Sequence, residues 1–224
     1  IIDISNPSAP ALTGTLDTTD YAYDIYVSGK YAYVADSTSG LQIIDISNPS
    51  APALTGTLDT PSYAIGVYVS GKYAYVADYT SGLQIIDISN PSSPALIGTL
   101  DTTGNALDVY VSGKYAYVAD GVSGLQIIDI SNPSAPALTG TLDTPSYALG
   151  VYVSGKYAYV ADYGSGLQII DISNPSAPAL TGTLDTPSYA IGVYVSGKYA
   201  YVADYGSGLR IIDIKGADIH AAKI

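Results

Sequence analysis

The chain has 224 residues and a net charge of −12, with 20 acidic side chains against 8 Lys plus Arg, a balance that repels nucleic acid and anionic membrane surfaces. Hydrophobic residues make up 47% of it, yet Asp, Ser, Gly and Pro interrupt every apolar run well short of the roughly 18 residues of a membrane helix, so no membrane insertion is expected. Cys is absent, which removes disulfides and thiolate metal sites, and the lack of Met, Trp and Phe beside 23 Tyr points to amplification of one ancestral unit, by recent duplication or by design.

The chain opens at Ile1 in mid-repeat, the mark of a processed, truncated or engineered segment. Ile-Ile-Asp-Ile begins at residues 1, 43, 85, 127, 169 and 211, a constant period of 42. One unit predicts four strands, over 64–69, 73–77, 83–88 and 95–100. Ser70-Gly71 reads as a tight hairpin, residues 78–82 as a short loop, and Ser89-Asn90-Pro91-Ser92-Ser93-Pro94 as an extended connection that no helix tolerates. The runs are apolar on both pleat faces: Tyr73, Tyr75 and Ala77 alternate with Ala74 and Val76, so both faces of each sheet must be covered by neighbours.

These elements predict an all-β, five-bladed β-propeller with four-stranded antiparallel blades, rather than a β-helix. It would form a single domain over residues 1–214, with units of about 21–62, 63–104, 105–146, 147–188, and 189–214 plus 1–20. A C-terminal tail, 215–224, carries the lone His220. Nothing after residue 214 matches Ala-Leu-Thr-Gly-Thr-Leu, so residues 11–16 are expected to supply the last blade's outer strand and close the ring. Ile1 to Ile4 then duplicates 211–214 and competes with it; the displaced copy offers an edge for self-association.

Gly71-Lys72-Tyr73-Ala74-Tyr75-Val76-Ala77-Asp78, followed by Ser81-Gly82-Leu83-Gln84-Ile85-Ile86-Asp87-Ile88-Ser89-Asn90-Pro91, resembles the LVIVD-repeat family of propeller modules over essentially residues 1–214. That resemblance implies an extracellular or cell-surface scaffold and little about chemistry.

The candidate ligand surface is the end where the second strands finish. It would display Asp36, Asp78, Asp120, Asp162 and Asp204 beside Tyr79, Tyr163, Tyr205, Tyr63, Tyr147 and Tyr189, types that suit sugars through stacking and hydroxyl hydrogen bonds. The bland alternative is that each Asp caps its own turn. Asp45, Asp87, Asp129, Asp171 and Asp213 read as internal devices for loop amides, and Lys30, Lys72, Lys114, Lys156 and Lys198 as solvated edge charges. Asp24 and Asp108 replace Gly66, Gly150 and Gly192 on the innermost strand and form a weak candidate pair for a hard cation; solvated channel side chains are the plainer reading. Near-identical surroundings cannot make one carboxyl an acid and another a base, so catalysis is not expected, and no cofactor is implied. The expected function is a non-enzymatic scaffold presenting repeated loops to a protein or glycan, with a lectin-like sugar binder as the alternative and a polysaccharide-cleaving enzyme last.

Overall fold

The computed structural model describes residues 1–214; the tail 215–224, with His220, lies outside the described residues. The chain is all-β, with successive sheets recurring at the 42-residue period. A short pair, Ile2–Asp3 with Ala11–Leu12, precedes sheet 1, which is built from Asp24–Ser28, Tyr31–Ala35, Leu41–Asp45 and Ala53–Leu58 in simple antiparallel order. Sheets 2, 3 and 4 repeat that plan from Gly66, Asp108 and Gly150. Sheet 5 comprises Ala190–Ser196, Tyr199–Asp204 and Leu209–Asp213.

The local chemistry explains each element. Ser70 pairs with Tyr73, so the first hairpin turns on Gly71 and Lys72, one residue later than the sequence suggests. Gly71 has φ +60 and Lys72 does not join it at positive φ, as a II′ turn requires. The first strand of sheet 2 starts at Gly66 rather than at 64, because Ala64 instead exchanges hydrogen bonds with Ser37 of sheet 1. Between the third and fourth strands the register shifts by one residue before Gly56, Gly98, Gly140 and Gly182, a bulge that bends the outer strand. At Gly56, Gly98 and Gly140 a Cβ would collide with the carbonyl oxygen of Pro91, Pro133 or Pro175 in the next repeat. The outer strand of one sheet therefore seats its backbone directly on the Asn-Pro loop of the following one.

Each sheet buries a forward face against the backward face of its successor. Tyr33, Ala35, Leu41 and Ile43 of sheet 1 pack on Ala64, Val67, Val69, Ala74, Val76, Ile86 and Ile88 of sheet 2. The same pairing recurs between sheets 2 and 3, 3 and 4, and 4 and 5. At about 25 cal/mol per Å2 of apolar area removed from water, burial shared by two sheets is what keeps a two-faced apolar strand folded. Along the innermost strands a tyrosine ladder, Tyr26, Tyr68, Tyr110, Tyr152 and Tyr194, has successive ring centroids 4.8, 4.9, 4.8 and 5.0 Å apart. Each contact of this kind adds about 0.5–1.5 kcal/mol beyond area burial.

The end strands depart from expectation. Residues Ala11–Leu12 pair with Ile2–Asp3 and not with Leu209–Asp213, so the described residues contain no closed sheet and sheet 5 has three strands. The register Ile2↔Leu12 and Asp3↔Ala11 reproduces Ile44↔Leu54 and Asp45↔Ala53. The N-terminal pair thus corresponds to the third and fourth strands of the complete sheets. The two Ile-Ile-Asp-Ile copies occupy separate places rather than contending for one. The local hairpin wins because closing a short loop costs far less entropy than joining residue 12 to residue 213.

A candidate binding end lined with tyrosine

The connection that enters each sheet crosses over the end of that sheet's second strand. In the connection to sheet 2, Thr60 Oγ1 donates to Asp78 Oδ1 at 2.6 Å and Ser62 N–H to Oδ2 at 2.9 Å. Asp120 accepts from Thr102 at 2.5 Å and Gly104 N–H at 2.9 Å, and Asp162 from Thr144 at 2.7 Å and Ser146 N–H at 3.0 Å. In sheet 1 Asp36 is held more loosely, by Thr19 at 3.5 Å and Asp20 N–H at 3.2 Å. In sheet 5 Asp204 takes Ser188 N–H at 3.3 Å, and Arg210, standing where the other sheets carry Gln, donates to its other oxygen at 3.2 Å.

All five carboxylates are fully buried. Burial pushes the carboxyls of Asp78, Asp120 and Asp162 above the usual range, while their Thr and backbone donors pull the other way. The sequence offers them either to a ligand or to their own turns. Their donors instead lie 16–18 residues earlier, so each acts as a staple between a connection and a strand end.

The tyrosines point outward. Tyr63, Tyr147 and Tyr189 are 48%, 48% and 44% exposed, and Tyr205 73%. Tyr63 lies 5.9 Å from Tyr79 between centroids. Tyr163 and Tyr189 stack at 4.0 Å with an 8° interplanar angle, and Tyr205 tilts against Tyr189 at 6.2 Å. Tyr79, Tyr163 and Tyr205 have φ of 41°, 38° and 22°, a left-handed region where a bulky side chain is disfavoured. Sheet 3 places Gly121 at the same position, with φ 56. Exposed Tyr21, at the Tyr63 position of sheet 1, belongs to the same surface, as do the exposed Asp17, Asp59, Asp101, Asp143 and Asp185 of the entering connections. These aspartates are additions to the residues expected from the sequence; the fixed spacing of Leu-Asp-Thr in every repeat is the signal that could have found them.

At the opposite end Lys30, Lys72, Lys114, Lys156 and Lys198 are not merely solvated. Each lies 3.1–4.0 Å from Asp45, Asp87, Asp129, Asp171 or Asp213, and 4.7–5.1 Å from the ring of the tyrosine that follows it. Asp45, Asp87, Asp129 and Asp171 also accept Ser47, Ser89, Ser131 and Ser173 N–H, the loop-amide role expected of them. Those serine bonds, with the lysine, hold Asp171 down at about 2.

The innermost strands of all five sheets line one cavity of about 260 Å3 that includes Asp24 and Asp108. Asp24 accepts Ile25 and Val67 N–H, and Asp108 accepts Val109 and Val151 N–H, all at 2.8 Å. With every carboxylate oxygen engaged by backbone, the pair fits a sheet-to-sheet clasp better than a cation site. Among the described residues no three His, Cys, Asp or Glu side chains gather as metal ligands.

None of the curated proteins compared matches the chain. Among solved structures, the computationally designed Ika8 protein is similar with a TM-score of 0.71 at 8% identity, over 88% of this chain and 59% of its own. A functionally unknown protein from Desulfotomaculum acetoxidans DSM 771 aligns with a TM-score of 0.70 at 15% identity, covering 84% of this chain and 64% of its own. The designed Ika4 protein gives 0.59 at 9% identity, over 69% and 93%. The chain thus spans less than two thirds of the first two, and at these identities the likeness is one of fold. The LVIVD repeat model matches residues 1–18, 20–60, 61–102, 103–144, 145–186 and 187–216, nearly the whole length and in phase with the sheets; the chain belongs to the LVIVD-repeat family.

Proposed function

We propose that this chain is a non-enzymatic binding scaffold whose sheets are propeller blades set about a common axis, and whose tyrosine-bearing end contacts a protein or glycan partner in an extracellular or cell-surface setting. The observation that carries this reading is the set of tyrosines at positive φ, Tyr79, Tyr163 and Tyr205, each on a buried-carboxylate staple. A bulky residue in that conformation costs about 1–3 kcal/mol where glycine costs little, of which ring contacts such as Tyr79 with Tyr63 and Tyr163 with Tyr189 return only about 0.5–1.5 kcal/mol. Strain kept at a surface position is explained by contact with something outside the fold. Repetition along the sheets would raise avidity for a repetitive target without a strong single site.

Carbohydrate is the second reading, favoured by the flat Tyr163–Tyr189 stack with exposed Asp185 in the adjoining connection. Glycan arrays and surface-extract pull-downs with the full chain and with a Tyr163→Ala/Tyr189→Ala/Tyr205→Ala variant test both. Binding that the triple variant loses supports the scaffold, and glycan retention selects the sugar reading. Binding unchanged by the variant, or none by the folded wild type, removes the proposal.

A further inference from the structure

Among the described residues, the faces that seal one sheet to the next are left open once at each end of the array. On sheet 5 the forward face consists of Tyr201, Ala203, Leu209 and Ile211; Leu209 is 64% and Ile211 59% exposed, while their equivalents Leu41 and Ile43 are 0%. On sheet 1 the backward face carries Ile25 and Val27, 59% and 56% exposed, where Val67 and Val69 are 3% and 5%. Beside them a cavity of about 310 Å3 is lined by Ile1, Leu16, Ile25, Val34, Ile44 and Ile46. Among the described residues the N-terminal pair has no counterpart of Tyr33, Ala35 or Leu41 to fill that space.

We propose that sheet 5 of a second copy docks on sheet 1, head to tail. The occupant is specified by the chain itself: the sheet-to-sheet junctions show which face covers which, and the uncovered pair is one of each kind. Both faces are exposed in the same conformation, so they do not cover one another within a chain. Bending the array to make them meet would disturb close-packed junctions fixed by Gly56 on Pro91, Gly98 on Pro133 and Gly140 on Pro175, whereas a second copy requires no such strain. The sequence also provides for the join. Leu209–Asp213 repeats the Ile-Ile-Asp segment at residues 1–3, so it can displace that strand from the Ala11–Leu12 edge without changing the contacts made. In the register of the complete sheets, residues 11–16 would then become the missing fourth strand of the incoming sheet 5. Because each copy offers two different faces, the contact is heterologous and continues along a row of copies until a ring closes.

Three proteins test this, with mass followed against concentration by sedimentation. Leu209→Asp spoils the forward face and Ile25→Asp the backward face, both at exposed positions, with circular dichroism confirming the fold. The wild type is expected to exceed its 23.1 kDa single-chain mass as concentration rises, more so at high salt, where the −12 charge is screened. Each variant alone stays at single-chain mass, while an equimolar mixture forms a complex of twice that mass, since each supplies the face the other lacks. A variant lacking residues 1–4, freed of the competing strand, associates at lower concentration than wild type. A wild type that is monomeric throughout, or a mixture of variants that does not associate, overturns the proposal. The outcome is independent of the tyrosine-bearing end.

Discussion

Replacing Asp78 by Ala removes the acceptor for Thr60 Oγ1 at 2.6 Å and Ser62 N–H at 2.9 Å from a fully buried position. Hydrogen bonds to a charged group contribute about 1.5–3 kcal/mol each, so the gross loss is about 3–6 kcal/mol. Two effects reduce it. Burial raises the carboxyl above its ordinary pKa, so the folded state already bears a cost for holding that charge, about 1.4 kcal/mol for each tenfold weakening of the acid, and the Thr60 hydroxyl can rotate toward another acceptor. The net expectation is a loss of about 2–4 kcal/mol, or roughly 5–15 °C in Tm for a chain of this size. Asp78→Asn keeps the shape and one acceptor oxygen and discards the buried charge, so it should cost less than about half as much. Asp36→Ala should also cost less, because that carboxylate is held at 3.2 and 3.5 Å and its Oδ1 has no partner. Thermal and urea unfolding followed by circular dichroism rank the three. If Asp78→Ala loses under about 0.5 kcal/mol, the size of an ordinary surface substitution, or no more than Asp36→Ala, the staple account fails.

Gly98→Ala drives a Cβ into the Pro133 carbonyl and should cost more than about 3 kcal/mol, whereas Gly113→Ala, at φ +60 with open space around it, should cost only about 1 kcal/mol; equal melting shifts would refute the backbone-contact explanation. Burial, with the nearby Asp24 carboxylate, lifts Asp108 to about 7 from 3.8, so its contribution to stability is full below about pH 4 and is lost as pH rises through 7; Asp108→Asn should flatten that slope, at most about 1.4 kcal/mol per pH unit, and an unchanged slope in unfolding at about pH 4–7 would assign it elsewhere. Tyr79→Gly relieves a φ of 41° and installs the residue that sheet 3 uses at Gly121, so the melting temperature should hold or rise, against the usual cost of an added glycine; a fall of more than about 1 kcal/mol in urea titration would show that the ring packs for stability.

The period, the strand runs and their two-sided burial are legible in the sequence because they rest on local chemistry: alternation, a hairpin glycine, a proline-rich connection. What is not legible depends on which repeat lies over which. Asp78 sits at a strand end beside a turn, and sequence offers it a local amide before it offers Thr60, 18 residues upstream. Lys72 follows a hairpin glycine and reads as free, yet the antiparallel register brings Asp87 across the strand to it. Tyr68 looks like one more core residue until the inter-sheet spacing sets it 4.8 Å from Tyr26. The chain ends are the hardest case. Closure of a ring is a property of the angle between sheets, which no count of strands contains, so counting assigns residues 11–16 to the last blade when a local partner at Ile2–Asp3 takes Ala11–Leu12.

Because the repeats are nearly identical, the positions where they differ show where selection or design has acted unevenly. The difference that touches a sheet-to-sheet core adds an apolar residue, Ile97 where the other outer strands carry Thr55, Thr139 and Thr181. Other departures fall on the axis, at Asp24 and Asp108; in the last sheet, at Arg210; and on the tyrosine-bearing end, where Asn105 and Gly121 interrupt the aromatic series and Ser37 shortens it. That interruption divides the end in two. Sheets 1 and 2 present Tyr21, Tyr63 and Tyr79, whereas sheets 4 and 5 present Tyr147 together with the stacked group Tyr163, Tyr189 and Tyr205. A ligand that reads aromatic surface therefore meets two unequal patches rather than five equal loops, and the larger adjoins the only buried carboxylate paired with a cation among the described residues, Asp204 with Arg210. With the charge of Asp204 neutralised beneath it, the patch over sheets 4 and 5 is the part of this acidic surface where an apolar or anionic partner would meet least repulsion, so the proposed binding role predicts that Tyr163→Ala/Tyr189→Ala weakens capture more than Tyr63→Ala/Tyr79→Ala does.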